Sequence, residues 1–159
     1  MICTGFIGMK TARANWLIRR KESGVTLLEL LIVVVIVGIL AAIAIPSYKK
    51  QIVKTNRSNA MADLQGFAQS MERFYVQKST YAGAAAGTVF PAQSPLDGSA
   101  RYTLSIQSQD ATSYVLRATP VAGGTQVGDG YLEITNTGQR RWDRDNDNSI
   151  SASEQTWNQ

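Results

Sequence analysis

From Val25 to Ile45 the chain is almost unbroken Leu, Ile, Val and Ala, with one charged residue, Glu29, inside it. At ~1.5 Å rise per residue a helix of this length spans roughly 30 Å, the apolar thickness of one bilayer. Pro46 follows. It has no N–H and crowds the preceding turn, so it should kink the helix rather than end it. Beyond it the pattern changes to a single stripe: Ile52, Ala60, Leu64, Phe67, Ala68, Met71, Phe74 and Tyr75, with steps of three and four from Ala60 onward. That spacing predicts an amphipathic helix over 47–78, ending near Lys78 and packed on a sheet through its apolar face. Asn56, Arg57, Asp63, Gln65, Gln69 and Arg73 fall mainly between the apolar positions.

Residues 79–100, STYAGAAAGTVFPAQSPLDGSA, have no periodicity and read as a connecting loop. Alternation begins after it. RYTLSIQ (101–107) places Tyr102, Leu104 and Ile106 on one face, and SYVLRAT (113–119) does the same with Tyr114, Leu116 and Ala118. A glycine-rich link leads to GYLEIT (130–135), a turn at Asn136-Thr137-Gly138, and a last strand near QRRW. The sum is an α+β arrangement: one long helix, its first half (25–46) membrane-length, packed through 47–78 on a roughly four-stranded antiparallel sheet over 101–142.

Charge divides the chain more sharply than its pI of about 9.4 suggests. Residues 1–24 carry Lys10, Arg13, Arg19, Arg20 and Lys21 against Glu22, whereas the remainder has equal numbers of basic and acidic residues. The basic excess is therefore a targeting feature, and pI gives no support to general nucleic-acid binding. Arg19-Arg20-Lys21, directly before the apolar run, holds the N-terminus on the cytoplasmic side, so residues from about Tyr48 onward face outward. The one cysteine, Cys3, lies in the basic segment and there is no histidine. Histidine-based catalysis and most zinc chemistry are thereby excluded, and the outward part can form no disulfide.

An ordinary secretory signal, cut at Ala42-Ile43-Ala44, is one reading of the apolar run. The run exceeds the ~7–15 apolar residues of such signals. Glu29 costs ~2.5–3.5 kcal/mol in a spanning helix, and a cut after Ala44 gives it no use. Gly24 followed by Val25-Thr26-Leu27-Leu28-Glu29 resembles instead the cleavage motif of type IV prepilins and their pseudopilin relatives. The likeness continues through LLIVVVIVGILAAIAIPSY, with Gly38 and Pro46 at the helix-softening places, and SYVLRATPVAGG…GYLEITNTG is most similar to minor pilins of the PilE type. Val25 stands where the family usually has Phe.

The resemblance implies a leader over 1–24 and cleavage after Gly24 by a prepilin peptidase. It also implies methylation of the new Val25 terminus, with Glu29 attracting the α-ammonium of a neighbouring subunit. An acid in an apolar bundle needs such a partner. Other pilins, a pilus assembly platform and the inner membrane before assembly are the implied partners. The end point is a surface filament. A start at Met9 gives a leader, MKTARANWLIRRKESG, of more usual prepilin character.

In DRDNDNSISASE (143–154), Asp143, Asp145, Asp147 and Glu154 stand at positions 1, 3, 5 and 12 of an EF-hand calcium loop. The Ser149 carbonyl falls at position 7, Ser151 or a water at position 9, and Asn148 replaces the usual glycine of position 6. Asn enters positive φ readily, so calcium is expected as cofactor. The competing reading is a solvated acidic turn in which Ser151 or Ser153 caps a short helix. In related pilins a disulfide commonly ties down the C-terminal segment, and in some pseudopilins calcium does; with no cysteine beyond the leader, calcium is expected to take the disulfide's place here over 143–159. RRW (140–142) with Arg144 suggests an aromatic–basic patch, but the interleaved aspartates argue against nucleic acid as a partner. No residue set supports catalysis. Alternatives are a pseudopilin of type II secretion, a pilus-borne DNA receptor and an exported calcium-binding domain.

Overall fold

A computed structural model describes residues 24–158; the expected leader, apart from Gly24, lies outside the described residues. The chain divides between Leu40 and Ala41 into two compact units. The single long helix α1 (Leu27–Lys78) contributes to both and contains Pro46 without interruption. In the first unit the Thr26 hydroxyl accepts the Glu29 N–H at 3.2 Å, and the Thr26 carbonyl accepts that of Leu30. Thr26 thus satisfies donors left free at the helix start. Every large apolar residue from Val25 to Leu40 is exposed.

The second unit is a helix-on-sheet domain. Its five strands, β1 (Gln93–Ser94), β2 (Tyr102–Gln109), β3 (Tyr114–Pro120), β4 (Leu132–Thr135) and β5 (Arg140–Trp142), form an antiparallel meander in chain order. The four expected strands are present as β2–β5, and β1 adds a fifth. Two residues ahead of Pro95 are too few to carry a period-two signal. The end of β2 also runs past Gln107, because the register shifts between Ile106 and Ser108 and a bulge hides the continuation. Asp110 closes the next hairpin by accepting the N–H groups of Thr112 and Ser113, both at 2.7 Å, and the Ser113 hydroxyl. The Ser113 hydroxyl and these N–H groups hold its carboxyl down at about 2.

The helical stripe is confirmed: Ala60, Leu64, Phe67 and Met71 are fully buried, together with Tyr102, Leu104, Leu116, Ala118 and Leu132 of the sheet. Alternation of Leu132 and Ile134 with Glu133 and Thr135 does not separate buried from exposed, since all four are buried. Glu133 lies under Arg117, bonded at 2.8 Å, and Arg141 at 3.6 Å, while the Arg117 guanidinium also covers the Tyr131 ring.

Candidate functional site

Gly24, Val25 and Glu29 all stand exposed at the head of α1. Glu29 is three residues past Thr26, in the first turn, where a carboxylate favours the positive end of the helix. Its local role, unseen in sequence, is thus compatible with an intermolecular one: the backbone N–H is capped and the carboxylate points to no partner of this chain among the described residues.

The acidic loop leaves β5 directly. Carboxylate oxygens of Asp143, Asp145 and Asp147 all lie within 4.8 Å of one another. Two oxygens bound to one calcium ion at ~2.4 Å are at most about that far apart, so this spacing fits the ion. Asn146 and Asn148 take φ of 56° and 66°, which curls the backbone around the three carboxylates. The Asp147 and Asn148 N–H groups donate to Asp143 at 3.1 and 3.2 Å, and Ser149 donates to Asp147 at 2.7 Å. Asp143 is fully buried, and burial, then the charges of Asp147 and Glu154, push its carboxyl up against the pull of those N–H groups. None of the three aspartates has an ion-pair partner among the described residues. The donor set fits a hard divalent cation.

Glu154 lies outside this trio. One of its oxygens accepts the N–H groups of Arg144 (2.6 Å) and Asp145 (3.3 Å), and the other accepts the Ser151 N–H (2.9 Å) and hydroxyl (2.7 Å). It closes the loop from within and ends a 3-10 turn, Ala152–Glu154. The Ser151 hydroxyl and N–H, foremost among these donors, hold its carboxyl down at about 2. Ser149 and Ser151 line the loop but are exposed. Trp157 anchors the segment by donating to the Arg141 carbonyl at 2.9 Å and joining the apolar core.

A second polar centre was hidden in what reads as a glycine-rich link. Asp129 accepts two hydrogen bonds from Arg57, at 2.9 and 2.5 Å, and one from the Tyr102 hydroxyl. Gln126, fully buried, bonds the Val53 carbonyl, Asn56 and Tyr102, while Trp142 donates to the Asp129 carbonyl at 2.7 Å. Arg57 lies 3.9 Å over the Trp142 ring. The only sequence signal was a lone arginine and a lone aspartate 72 residues apart, and nothing in the pattern connects them. This packing also removes the RRW patch as a stacking platform, since Trp142 is buried with Arg57 and Arg144 over its ring.

Two family models match the chain. Residues 46–130, more than half of it, match "Type IV minor pilin ComP, DNA uptake sequence receptor", and residues 19–45 match the prokaryotic N-terminal methylation motif. The chain belongs to the type IV pilin family and is a minor pilin bearing the N-methylation motif. Among curated relatives it is 40% identical over 73 residues to the type IV major pilin PilA of Myxococcus xanthus, covering 46% of this chain and 31% of that one. It is 25% identical over 130 residues to a fimbrial protein of Pseudomonas aeruginosa, covering 77% of this chain and 84% of the relative. The chain therefore spans less than a third of the first relative's length. A crystal structure of the non-core minor pilin PilV from Neisseria meningitidis aligns at 17% identity with a TM-score of 0.48, over 69% of this chain and 93% of that one.

Proposed function

We propose that this minor pilin is a non-catalytic filament subunit that waits in the inner membrane, is cut after Gly24 by a prepilin peptidase, and joins other pilins at an assembly platform. The observation that carries this is the exposure of every large apolar side chain from Val25 to Ile45, with one carboxylate, Glu29, among them. Such a surface needs lipid first and neighbouring helices afterwards. Glu29 then meets the α-ammonium of a neighbouring Val25 and sets the register of docking. The match to a minor pilin family supports the pilus over a secretion pseudopilin. The test is Glu29→Val in the native organism: we expect processed protein that stays in the membrane and is absent from sheared filaments. Normal incorporation would defeat the reading.

Calcium, in this reading, is the staple of the C-terminal segment. Asp143, Asp145 and Asp147 would hold it with the Ser149 carbonyl, and Ser151 or a water would fill the neighbouring position. Glu154 would act as a ligand only on giving up some of its loop N–H bonds. When bound, the ion supplies positive charge to three clustered carboxylates.

A second reading, DNA reception, is favoured by the match over 46–130 to a minor-pilin family described as a DNA uptake sequence receptor. A mobility-shift assay with the full chain in detergent and duplex DNA tests it. Salt-sensitive binding would support it; no shift at micromolar protein would remove it.

A further inference from the structure

Arg140, Arg141 and Arg144, the arginines nearest the acidic loop in sequence, are all engaged elsewhere. Arg140 lies 5.2 Å over the Trp157 ring, and Arg141 faces Glu133 and donates to Gln139. Arg144 lies 5.0 Å over the Trp142 ring and donates to the Asn158 carbonyl at 2.9 Å. Asp143, fully buried, is left with no cation of this chain among the described residues. Its backbone, meanwhile, is tied to the link over 121–130. The Asp143 N–H donates to the Tyr131 carbonyl at 3.0 Å, and the Asp143 carbonyl packs on Gly130. One residue earlier, the Trp142 indole donates to the Asp129 carbonyl at 2.7 Å. The link in turn is fastened to α1, through Asp129 on Arg57 and through Gln126 on Asn56 and the Val53 carbonyl.

Carboxylates whose oxygens lie within 4.8 Å of one another repel when nothing stands between them. The loop relieves that repulsion by spreading, and Asp143 cannot move without drawing Gly130, Tyr131 and Asp129 with it. A cation among the three carboxylates removes the repulsion and fixes Asp143 in place. We propose that calcium on this loop locks the 121–130 link onto α1, so that the ion site and the Asp129–Arg57 hub are coupled. The link suits such control, being irregular and held by a few side chains, as segments that open locally are. Coupling of this kind is reciprocal. Whatever calcium adds to the hold of the link on α1, a weakened hold takes from calcium affinity. Thr125 of the link also forms one wall of the open groove along Ala44, Ile45, Tyr48 and Ile52, so the ion sets the shape of that face. This inference rests on the calcium reading proposed above and names its regulatory consequence.

The full mature chain in detergent, with calcium or with chelator, gives the test through amide hydrogen exchange and calorimetric calcium titration. The reporters are the Gly124 and Asp129 amides, which donate to the Val121 and Gln126 carbonyls within the link. We expect them to exchange roughly tenfold more slowly in calcium, a factor usual for coupled sites. Arg57→Lys and the milder Asn56→Ala loosen the hub and leave every loop carboxylate in place. Each should weaken calcium binding, by no more than that same factor, and Asn56→Ala decides alone if Arg57→Lys does not fold. Asp147→Asn should abolish both the binding and the protection of the link. Calcium that binds but protects only residues 143–154 overturns the coupling and leaves the calcium site standing. So does calcium that binds Asn56→Ala as tightly as the parent. Absence of binding at millimolar calcium overturns the calcium reading and the coupling together.

Discussion

The loop over 121–130 and the loop over 143–154 are both irregular and each buries one aspartate, yet the two carboxylates meet opposite surroundings. Asp129 is buried with a bidentate guanidinium, a tyrosine hydroxyl and a stacked tryptophan around it. Asp143 is buried just as deeply, but its nearest charged company is more carboxylate. A domain that supplies its own cation to one acid and none to the other leaves a place for a cation from solution. The two loops also touch. Gly130, at φ +71°, passes so close to the Asp143 carbonyl that a Cβ would sit 1.5 Å from that oxygen.

Gly130→Ala is therefore expected to have the largest effect, because it breaks both loops at once. Its new methyl cannot be accommodated by rotating a side chain, since the obstacle is backbone, and positive φ adds strain. We expect a loss above about 4 kcal/mol, the range reserved for such clashes, visible as absent or low-temperature unfolding by circular dichroism. A melting temperature near that of the parent would show that the loops are not coupled through this contact.

Arg57→Leu attacks the first loop alone. Removing one partner of a buried ion pair leaves the other uncompensated, at a cost of about 3–5 kcal/mol. Here the side chains are only 12% and 6% exposed. Combined with Asp129→Leu, the loss should be much less than additive in denaturant unfolding. Full additivity would mean that the pair is not the unit of stability.

The sequence made one of these two loops visible and concealed the other, for a physical reason. Asp143, Asp145, Asp147 and Glu154 fall within one short segment, so their spacing is written locally. The hub around Asp129 is assembled from α1, β2, β5 and a loop, and only the fold brings Arg57 to it. The helical stripe and the strands β2 and β3 were legible because each repeats a period, the membrane-length run because it is nearly unbroken, and β4 and β5 because the turn at Asn136-Thr137-Gly138 joins them. β1 was not, because two residues have no period. Glu154 shows the limit on the legible side: its spacing is that of position 12, but its oxygens face loop N–H groups rather than the aspartate trio.

Calcium sharpens the comparison on the second loop. At 100 times the dissociation constant a ligand that binds only the folded state adds about 2.7 kcal/mol, so thermal unfolding in excess calcium should lie several degrees above that in chelator. Asp147→Asn should remove most of that difference while changing the chelator value little, since Asp147 is exposed. Identical melting in calcium and chelator would leave Asp143 with no external cation and end the staple reading.

The smallest expected effect decides what Glu154 does. Its folded-state carboxyl is held at about 2, against an ordinary value of 4.5. A depressed carboxyl contributes stability that is fully present above the ordinary value and lost as pH falls through the folded one. Urea midpoints in chelator should therefore separate the parent from Glu154→Gln fully above about pH 4.5, and the gap should close toward pH 2. The amide can still accept a hydrogen bond but offers no charge to the N–H groups of Arg144, Asp145 and Ser151, so the gap is modest. If it appears only when calcium is present, Glu154 is a ligand rather than the strap of the loop. If it appears in chelator with this pH dependence, the loop is closed by Glu154 before any ion arrives, and the aspartates alone are left to bind one.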